Sequence, residues 1–342
     1  MGGLQGTPMK YFLGFAGVLF VVFWFLFPMN PQWLLDSAYG LLRGRVSNYP
    51  SMGYPAMFVP AIWLGLSPVW FMFGVQFIMC VSGVGLWWAE FGVPSQWYHV
   101  FAILPFVACM ALMQTAAIPC FLVLVAVVAL RHGKTWVAAV LVGICGLFRT
   151  ELLILLPCLS YAAFKESMIV FALTVALLLG LTGSIMSSNT PAVFYGSLGQ
   201  LEGNPWNLSF TDSCIERVAA QHGVDAWESP DLFTDLSIQA ISSQPIWYVA
   251  KCVKNGLRAV LTGPYIGEWR VKPYAWAVVV KYSLHVMFSG VMLWLIVKVP
   301  RWSFLGWAVL AFILAQALGN QMVRHWNVIY LPLLGVVLEA RQ

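Results

Sequence analysis

The chain has 342 residues, 61% hydrophobic and only 9% charged, with 17 tryptophans and a mean hydropathy of +0.81. Soluble domains carry roughly a quarter charged residues, so a water-soluble fold, a disordered chain, a coiled coil and a collagen-like repeat are all excluded. The net charge of +5 is modest and scattered, which argues against a nucleic-acid partner. What remains is an all-α, polytopic transmembrane helix bundle.

A spanning helix needs about 20 apolar residues, and about ten stretches approach that length. They are Tyr11 to Pro28, Val69 to Trp88, Tyr98 to Met113, Ile118 to Leu130, Trp136 to Phe148, Leu152 to Phe164, Met168 to Met186, Tyr274 to Val297, Trp302 to Leu318 and Val328 to Glu339. Several are short enough to tilt, pair or re-enter. The first lacks a small-residue cleavage site and is expected to be retained rather than removed as a signal peptide. The chain therefore divides into an N-terminal transmembrane module, residues 1–186, an outer helical loop, residues 187–273, and C-terminal spans, residues 274–342.

Lys and Arg concentrate in cytoplasmic loops. Placing the N-terminus with Lys10 inside also places Arg131, Lys134, Lys165, Lys298, Arg301 and Arg341 inside. The same threading sends Asp36, Arg43, Arg45, Arg149, Glu151, Arg324 and His325 to the opposite, extracytoplasmic side, together with the long loop from about Ser187 to Pro273. Ionisable groups near membrane depth are costly and usually face a cavity or a partner. Their gathering at one surface is the first functional signal.

In the first outer loop, about residues 29–55, the run from Trp33 to Arg45 reads as a juxtamembrane helix that aligns Asp36, Gly40 and Arg43. A partly desolvated carboxylate there suits a general base; the alternative is a solvated Asp36, or one paired with Arg43 or Arg45. Arg149-Thr150-Glu151 interrupts the apolar run from Trp136 to Phe164 and marks a turn between spans. The planar fork of an Arg grips phosphate, and a simple turn ion pair is the other reading.

The outer loop reads as short helices. Ser213 to Glu216 fits a capping box, with a stop near Gly223. Ser229-Pro230 fits a cap followed by Pro at the first helical position, and Pro245 opens a third helix. In that third helix Ile246, Val249, Ala250, Val253 and Leu257 keep helical spacing, while Lys251, Lys254 and Arg258 share another face. Such a helix suits a bilayer surface, its apolar side among acyl chains and its cations at phosphate level, or it merely packs on the neighbouring spans.

Five of the seven cysteines, Cys80, Cys109, Cys120, Cys145 and Cys158, fall in apolar spans as small fillers. Cys214 and Cys252 share the outer loop, where an oxidising compartment permits a disulfide. Asn207-Leu208-Ser209 is a glycosylation sequon on the same loop. Lys281 and His285 share a face near the outer half of the eighth stretch, lining a cavity or, for Lys281, snorkelling. At the outer mouth of the last stretch, Arg324 and His325 suit an anion, and Trp326 and Tyr330 suit either a site or an interfacial aromatic belt. No Walker loop, GxSxG or HExxH occurs, the histidines are dispersed, and no metal site is expected.

These positions resemble the GT-C superfamily of membrane glycosyltransferases, and within it the branch of protein O-mannosyltransferases and lipid A aminoarabinose transferases. The likeness rests on Asp36, Tyr39, Gly44, Tyr49 and Gly53-Tyr54-Pro55 in the first loop, then Arg149 and Glu151 before an apolar Leu-Pro run. It continues with Pro245 to Tyr248 and an Arg-containing approach to Tyr330-Leu331-Pro332. Two features depart from the pattern: Ser37 stands where some relatives carry a second acid, and the chain ends at Gln342, where some members continue into a soluble domain.

The resemblance implies transfer of a sugar from a polyprenyl- or dolichyl-phosphate carrier to a glycan, lipid or protein acceptor, on the extracytoplasmic side, with inversion. It implies Asp36 as the base, Arg43, Arg45, Arg149 and Arg324 around the donor phosphate, and Tyr39, Tyr54, Glu151, His325 and Lys281 in support. No cofactor is implied; a divalent ion would enter only with a pyrophosphate donor. The alternatives are a flippase of lipid-linked saccharides, whose internal repeats and midplane charges are not evident, and a non-catalytic accessory subunit.

Overall fold

The computed structural model describes residues 6–26, 32–44, 53–92, 103–111, 116–182, 190–198, 212–225, 229–261, 275–318 and 325–340. Among the described residues every regular element is helical, as the composition requires. In chain order they are α1 (Gly6–Leu26), α2 (Gln32–Leu42), α3 (Gly53–Trp63), α4 (Pro68–Phe91), α5 (Leu104–Ala111), α6 (Ala117–Arg131) and α7 (Thr135–Phe148). A 3-10 turn (Thr150–Ile154) leads into α8 (Leu155–Thr182), and α9 (Thr190–Leu198), α10 (Asp212–His222), α11 (Pro230–Ser243) and α12 (Pro245–Leu261) follow. The last three are α13 (Ala275–Lys298), α14 (Phe304–Leu318) and α15 (His325–Glu339). Two stretches, Pro68–Phe91 and Thr150–Thr182, are long and apolar enough to cross a bilayer, and six shorter helices are similarly apolar. α4 begins with Pro68 in its first turn and closes on Gly92 at φ 57°, a left-handed cap that suits glycine.

The Thr150–Thr182 stretch is not one rod. Ala163 breaks α8 with φ −151° and ψ 62°, and the contacts of Gly146 show the consequence. A Cβ on Gly146 would stand 2.9 Å from Leu153 Cγ and 3.7 Å from Thr174 Cγ2, although a straight helix would hold residues 153 and 174 roughly 30 Å apart. The chain therefore folds back at Ala163, with Lys165 and Glu166 just beyond the bend. This matches the two apolar stretches expected from the sequence, Leu152 to Phe164 and Met168 to Met186. The second limb runs alongside α7: Thr135 Oγ1 donates to Glu166 Oε1 at 3.0 Å, and Gly143 faces Val170 and Thr174.

The bundle has two polar ends. At the first, here termed basal, Arg131 at the close of α6 forks onto Glu339 at the close of α15, with Nη2 to Oε1 at 2.6 Å. Its guanidinium also lies 4.8 Å over the Phe91 ring. His132 Nε2 meets Glu90 Oε2 at 3.0 Å. These pairs are partly exposed and worth about 0–1 kcal/mol each; they fix which helix ends lie together. α1 runs antiparallel to α4, since Gly17 sits by Phe77 and Gly85 by Leu13, so Lys10 also lies towards this end.

At the opposite, apical end, α2 and α3 cover the close of α7. Leu34, Ala38, Tyr54, Phe58, Met72, Ile118 and Phe148 form a buried cluster there. Gly53 is required by this approach: a Cβ on it would stand 2.8 Å from Leu147 O and 2.9 Å from Phe148 N. α12 lies over the close of α14 and the start of α15, tied by Tyr248 Oη donating to Leu318 O and Trp326 Nε1 donating to Ala259 O, both at 3.0 Å. α9, α10 and α11 bury a small cluster of their own around Tyr195, Ile215 and Phe233.

The loop helices match the sequence reading closely. α11 starts at Pro230 after Ser229, although Ser229 makes no side-chain cap bond. α10 starts at Asp212, one residue ahead of the expected cap, so Ser213 lies within it. Gly223 follows α10 with φ 66°, which explains a glycine at that stop.

The α7–α8 crossing depends on an absent side chain. A Cβ at Gly143 would meet Val170 Cγ1 at 2.5 Å and Thr174 Oγ1 at 3.0 Å. Val170 is stiff at χ1, and Thr174 is held by its bond to Val170 O at 2.8 Å. Gly143→Ala is expected to cost about 1–3 kcal/mol, seen as a lower thermal unfolding midpoint in detergent. Gly14→Ala, with nothing within 4 Å, should leave the midpoint unchanged or raised.

Candidate functional site

α2 forms because Leu34 and Ala38 bury against α3 while its other side stays open. Asp36 is on the open side and accepts a hydrogen bond from Gln32 Nε2 at 2.9 Å. Among the described residues it has no ion-pair partner. Tyr39 is 44% exposed. The helix ends as Arg43 N–H donates to the carbonyls of Tyr39 and Gly40, and Gly44 follows at φ 72°. Arg43 is exposed and forms no ion pair with Asp36. Arg45 and Tyr49 lie outside the described residues.

Tyr54, given a supporting role by the resemblance, is a core residue. It is fully buried, its ring 6.5 Å from that of Phe148, and its hydroxyl accepts from Gln76 Nε2 at 2.8 Å. It positions α3 against α4 and α7 beneath the surface. Gln76, which the sequence reading missed, has a visible signal: it is the lone carboxamide inside the Val69 to Trp88 stretch.

Arg149 is 6% exposed, a buried cation at the apical close of α7. Its extended backbone, φ −151° and ψ 112°, breaks the helix before the 3-10 turn. The break is held by Arg149 N–H donating to Cys145 O at 3.0 Å and by Leu152 N–H donating to Arg149 O at 2.9 Å. Its Nη2 lies 3.4 Å from Glu151 Oε1, long for a charge-assisted bond. The turn ion pair is present but loose. Five residues on, Ile154 opens a groove of about 450 Å³ between the first limb of α8 and α14. Pro157 and Tyr161 form one wall and Trp307, Leu310 and Leu314 the other, and the surface is almost entirely apolar.

α12 is turned opposite to a soluble amphipathic helix. Ile246, Val249, Val253 and Leu257 are 60–82% exposed, whereas Lys251 and Asn255 are 4% and 3% exposed. The helix packs on the neighbouring α14, as one of the sequence readings expects, but through its polar stripe, and its apolar face is open. The cations divide, with Lys251 buried, Lys254 half-buried and Arg258 exposed. Burial pulls the Lys251 ammonium down to about 8 and pushes the Tyr248 hydroxyl up to about 12, with Cys252 beside it adding to the shift. Cys252 is a free thiol, and the side chain of Cys214, with which the sequence permits a disulfide, lies outside the described residues.

Trp326 and Tyr330 are fully buried rather than belt aromatics: α12 covers Trp326, and Tyr330 packs within the bundle on α13. Trp326 packs edge-on to Phe312 at 6.2 Å and Tyr330 edge-on to Phe288 at 6.4 Å. Asn255 and Gln316 are buried polar groups absent from the sequence reading; Gln316, like Gln76, is a lone carboxamide in an apolar stretch. The side chains of Lys281 in α13 and His325 at the start of α15 lie outside the described residues, as do Arg324 and the Asn207 sequon. Among the described residues no group of three His, Cys, Asp or Glu converges on a metal position. Comparison with protein-family models, curated proteins and solved structures gave no match.

The Lys251 shift has a pH signature. Below about 8 the ammonium is charged in both the folded and unfolded chain, and the folded state bears the full burial cost. Between about 8 and the ordinary 10.5 the unfolded chain holds more protons, so stability rises with pH. Lys251→Met should therefore stabilise the protein at pH 7, by up to roughly 3 kcal/mol at about 1.4 kcal/mol per pKa unit. Its advantage in thermal midpoint should fade as pH rises from 8 to 10.5; a gap independent of pH would contradict the assignment.

Proposed function

We propose that the protein is a multi-pass membrane glycosyltransferase that moves a sugar from a polyprenyl- or dolichyl-phosphate carrier to an acceptor hydroxyl at its apical end. The observation that supports this reading is the buried guanidinium of Arg149 on the turn that leads, five residues on, to Ile154 in the lining of the apolar α8–α14 groove. A lipid phosphate needs both: an oily channel for its chain and a fixed cation where charge develops as the sugar leaves. Asp36 stands on α2, which packs through α3 onto the same close of α7.

A pass count of about ten is supported by the way chain direction alternates between the ends, counting the two limbs of α8 separately. Basal placement of Lys10, Arg131, Lys134, Lys165, Lys298 and Arg301 favours a cytoplasmic basal end, which puts the chemistry on the extracytoplasmic face. The open apolar side of α12 suits the acyl region, with Arg258 at phosphate level.

In the reaction the Asp36 carboxylate takes the acceptor hydroxyl proton as that oxygen bonds to the anomeric carbon. The bond from this carbon to the phosphate oxygen breaks, its electron pair stays on the carrier phosphate, and the configuration inverts. Arg149 meets the growing phosphate charge with its planar fork. Arg43, Arg45 and Arg324 are the further cations proposed for the phosphate, and Tyr39, Glu151, His325 and Lys281 the supporting groups.

Asp36→Asn should lower transfer by about 10²-fold or more without changing the thermal midpoint. Arg149→Lys should lower it at least about tenfold, because the bidentate grip is lost. The measurement is transfer of radiolabelled sugar from polyprenyl-phosphate-linked glucose, mannose, galactose and arabinose in proteoliposomes. Full activity of folded Asp36→Asn would refute the reading.

A further inference from the structure

Cysteines in an oily bundle serve as small fillers, and two of them behave so. Cys145 Sγ donates to Leu141 O at 3.3 Å and Cys158 Sγ to Ile154 O at 3.2 Å, each about one turn back along its own chain. Cys109 and Cys120 differ. They belong to separate helices, α5 and α6, and their sulfurs meet at 3.4 Å. Cys109 is 2% exposed and Cys120 0%, so the contact is sealed inside the packed bundle.

The contact is placed for a covalent bond. A disulfide holds its sulfurs about 2.05 Å apart, roughly 1.4 Å closer than they stand here. Both residues occupy terminal turns, Cys109 just before the close of α5 at Ala111 and Cys120 just after the start of α6 at Ala117. A terminal turn shifts by an ångström at less cost than a mid-helix one, because fewer backbone hydrogen bonds hold it. The bridge would enclose residues 110–119 and tie α5 to α6.

The depth also fits. Ile118, next but one before Cys120, packs with Tyr54 and Phe148 in the cluster beneath α2 and α3, whereas Arg131, at the far close of α6, reaches the basal end. The sulfurs therefore lie in the apical half of the bundle. The topology proposed above turns that half away from the cytoplasm, towards a compartment where disulfides form and persist.

We propose that Cys109 and Cys120 are a modification site that becomes a disulfide joining α5 to α6, an assignment that rests on the outward placement of the apical end. The co-reactant is a disulfide of the oxidising compartment, met before the helices seal the pair. One cysteine thiolate attacks a sulfur of that disulfide and releases one half as a thiolate; the other cysteine thiolate attacks the mixed disulfide and releases the second half. The two protons lost by the cysteines end on the two released thiols. One S–S bond breaks and one forms, so the pair is oxidised by two electrons and the reagent reduced by two.

The test reads the bond in full-length protein. Met110 and Met113 lie between the two cysteines, so cyanogen bromide separates residues 80–110 from residues 114–168 unless a bridge holds them. Membranes from aerobically grown cells, denatured with N-ethylmaleimide and no reductant before cleavage, should yield the two fragments joined, and dithiothreitol should part them. The joined species should vanish in Cys109→Ser and in Cys120→Ser. It should persist in Cys80→Ser, Cys145→Ser and Cys158→Ser, the other cysteines of the two fragments. Joined fragments in Cys109→Ser would overturn the assignment. The same protein made cell-free into lipid vesicles with oxidised glutathione meets the reagent before it inserts. Joining in vesicles but not in cells would overturn the outward placement of the apical end, whereas fragments parted in both would overturn the site itself.

Discussion

An oily chain holds few polar groups, and each one buried without a partner is costly. How those groups are paired therefore governs the molecule. At the basal end they neutralise one another: Arg131 with Glu339, His132 with Glu90, Thr135 with Glu166. At the apical end the balance is different. Arg149 is buried with Glu151 two residues along the chain, and Asp36 has a neutral partner in Gln32. The described carboxylate pairs at the basal end join separate helices, whereas those at the apical end lie within single turns of chain.

The reversal at Ala163 links that asymmetry to a shape. Because α8 doubles back, its first limb is free to lie beside α14 while its second packs on α7. The groove between the first limb and α14 begins at the 3-10 turn that Arg149 starts. The break at Arg149 thus does two things: it buries a cation at the close of α7 and aims the following residues into an apolar channel. Glycines at 143 and 146 allow the close approach that makes the reversal possible.

Much of this was legible in the sequence. Lys165-Glu166 between two apolar runs marked the bend, Arg149-Thr150-Glu151 marked the break, and Pro230 and Pro245 marked two helix starts within a residue. What escaped was direction. Periodicity divides α12 into two faces but does not say which turns inward, and the inward face is the polar one. Composition likewise cannot separate an interfacial Trp326 or Tyr330 from a core one, since burial there depends on α12 and α13, both far away in sequence. The Tyr54–Gln76 bond and the burial of Gln316 are tertiary facts; lone carboxamides in apolar runs were their only local trace.

The central claim is that a membrane separates the two polar ends, with the Asp36–Arg149 end facing away from the cytoplasm. Single cysteines at Arg43 and Lys134, in a background with all seven native cysteines replaced by Ser or Ala, report this directly through a charged, membrane-impermeant maleimide applied to intact cells or sealed vesicles. The account predicts labelling at position 43 from the extracytoplasmic side and at position 134 only after the membrane is opened. Labelling of both positions from the same side would contradict it.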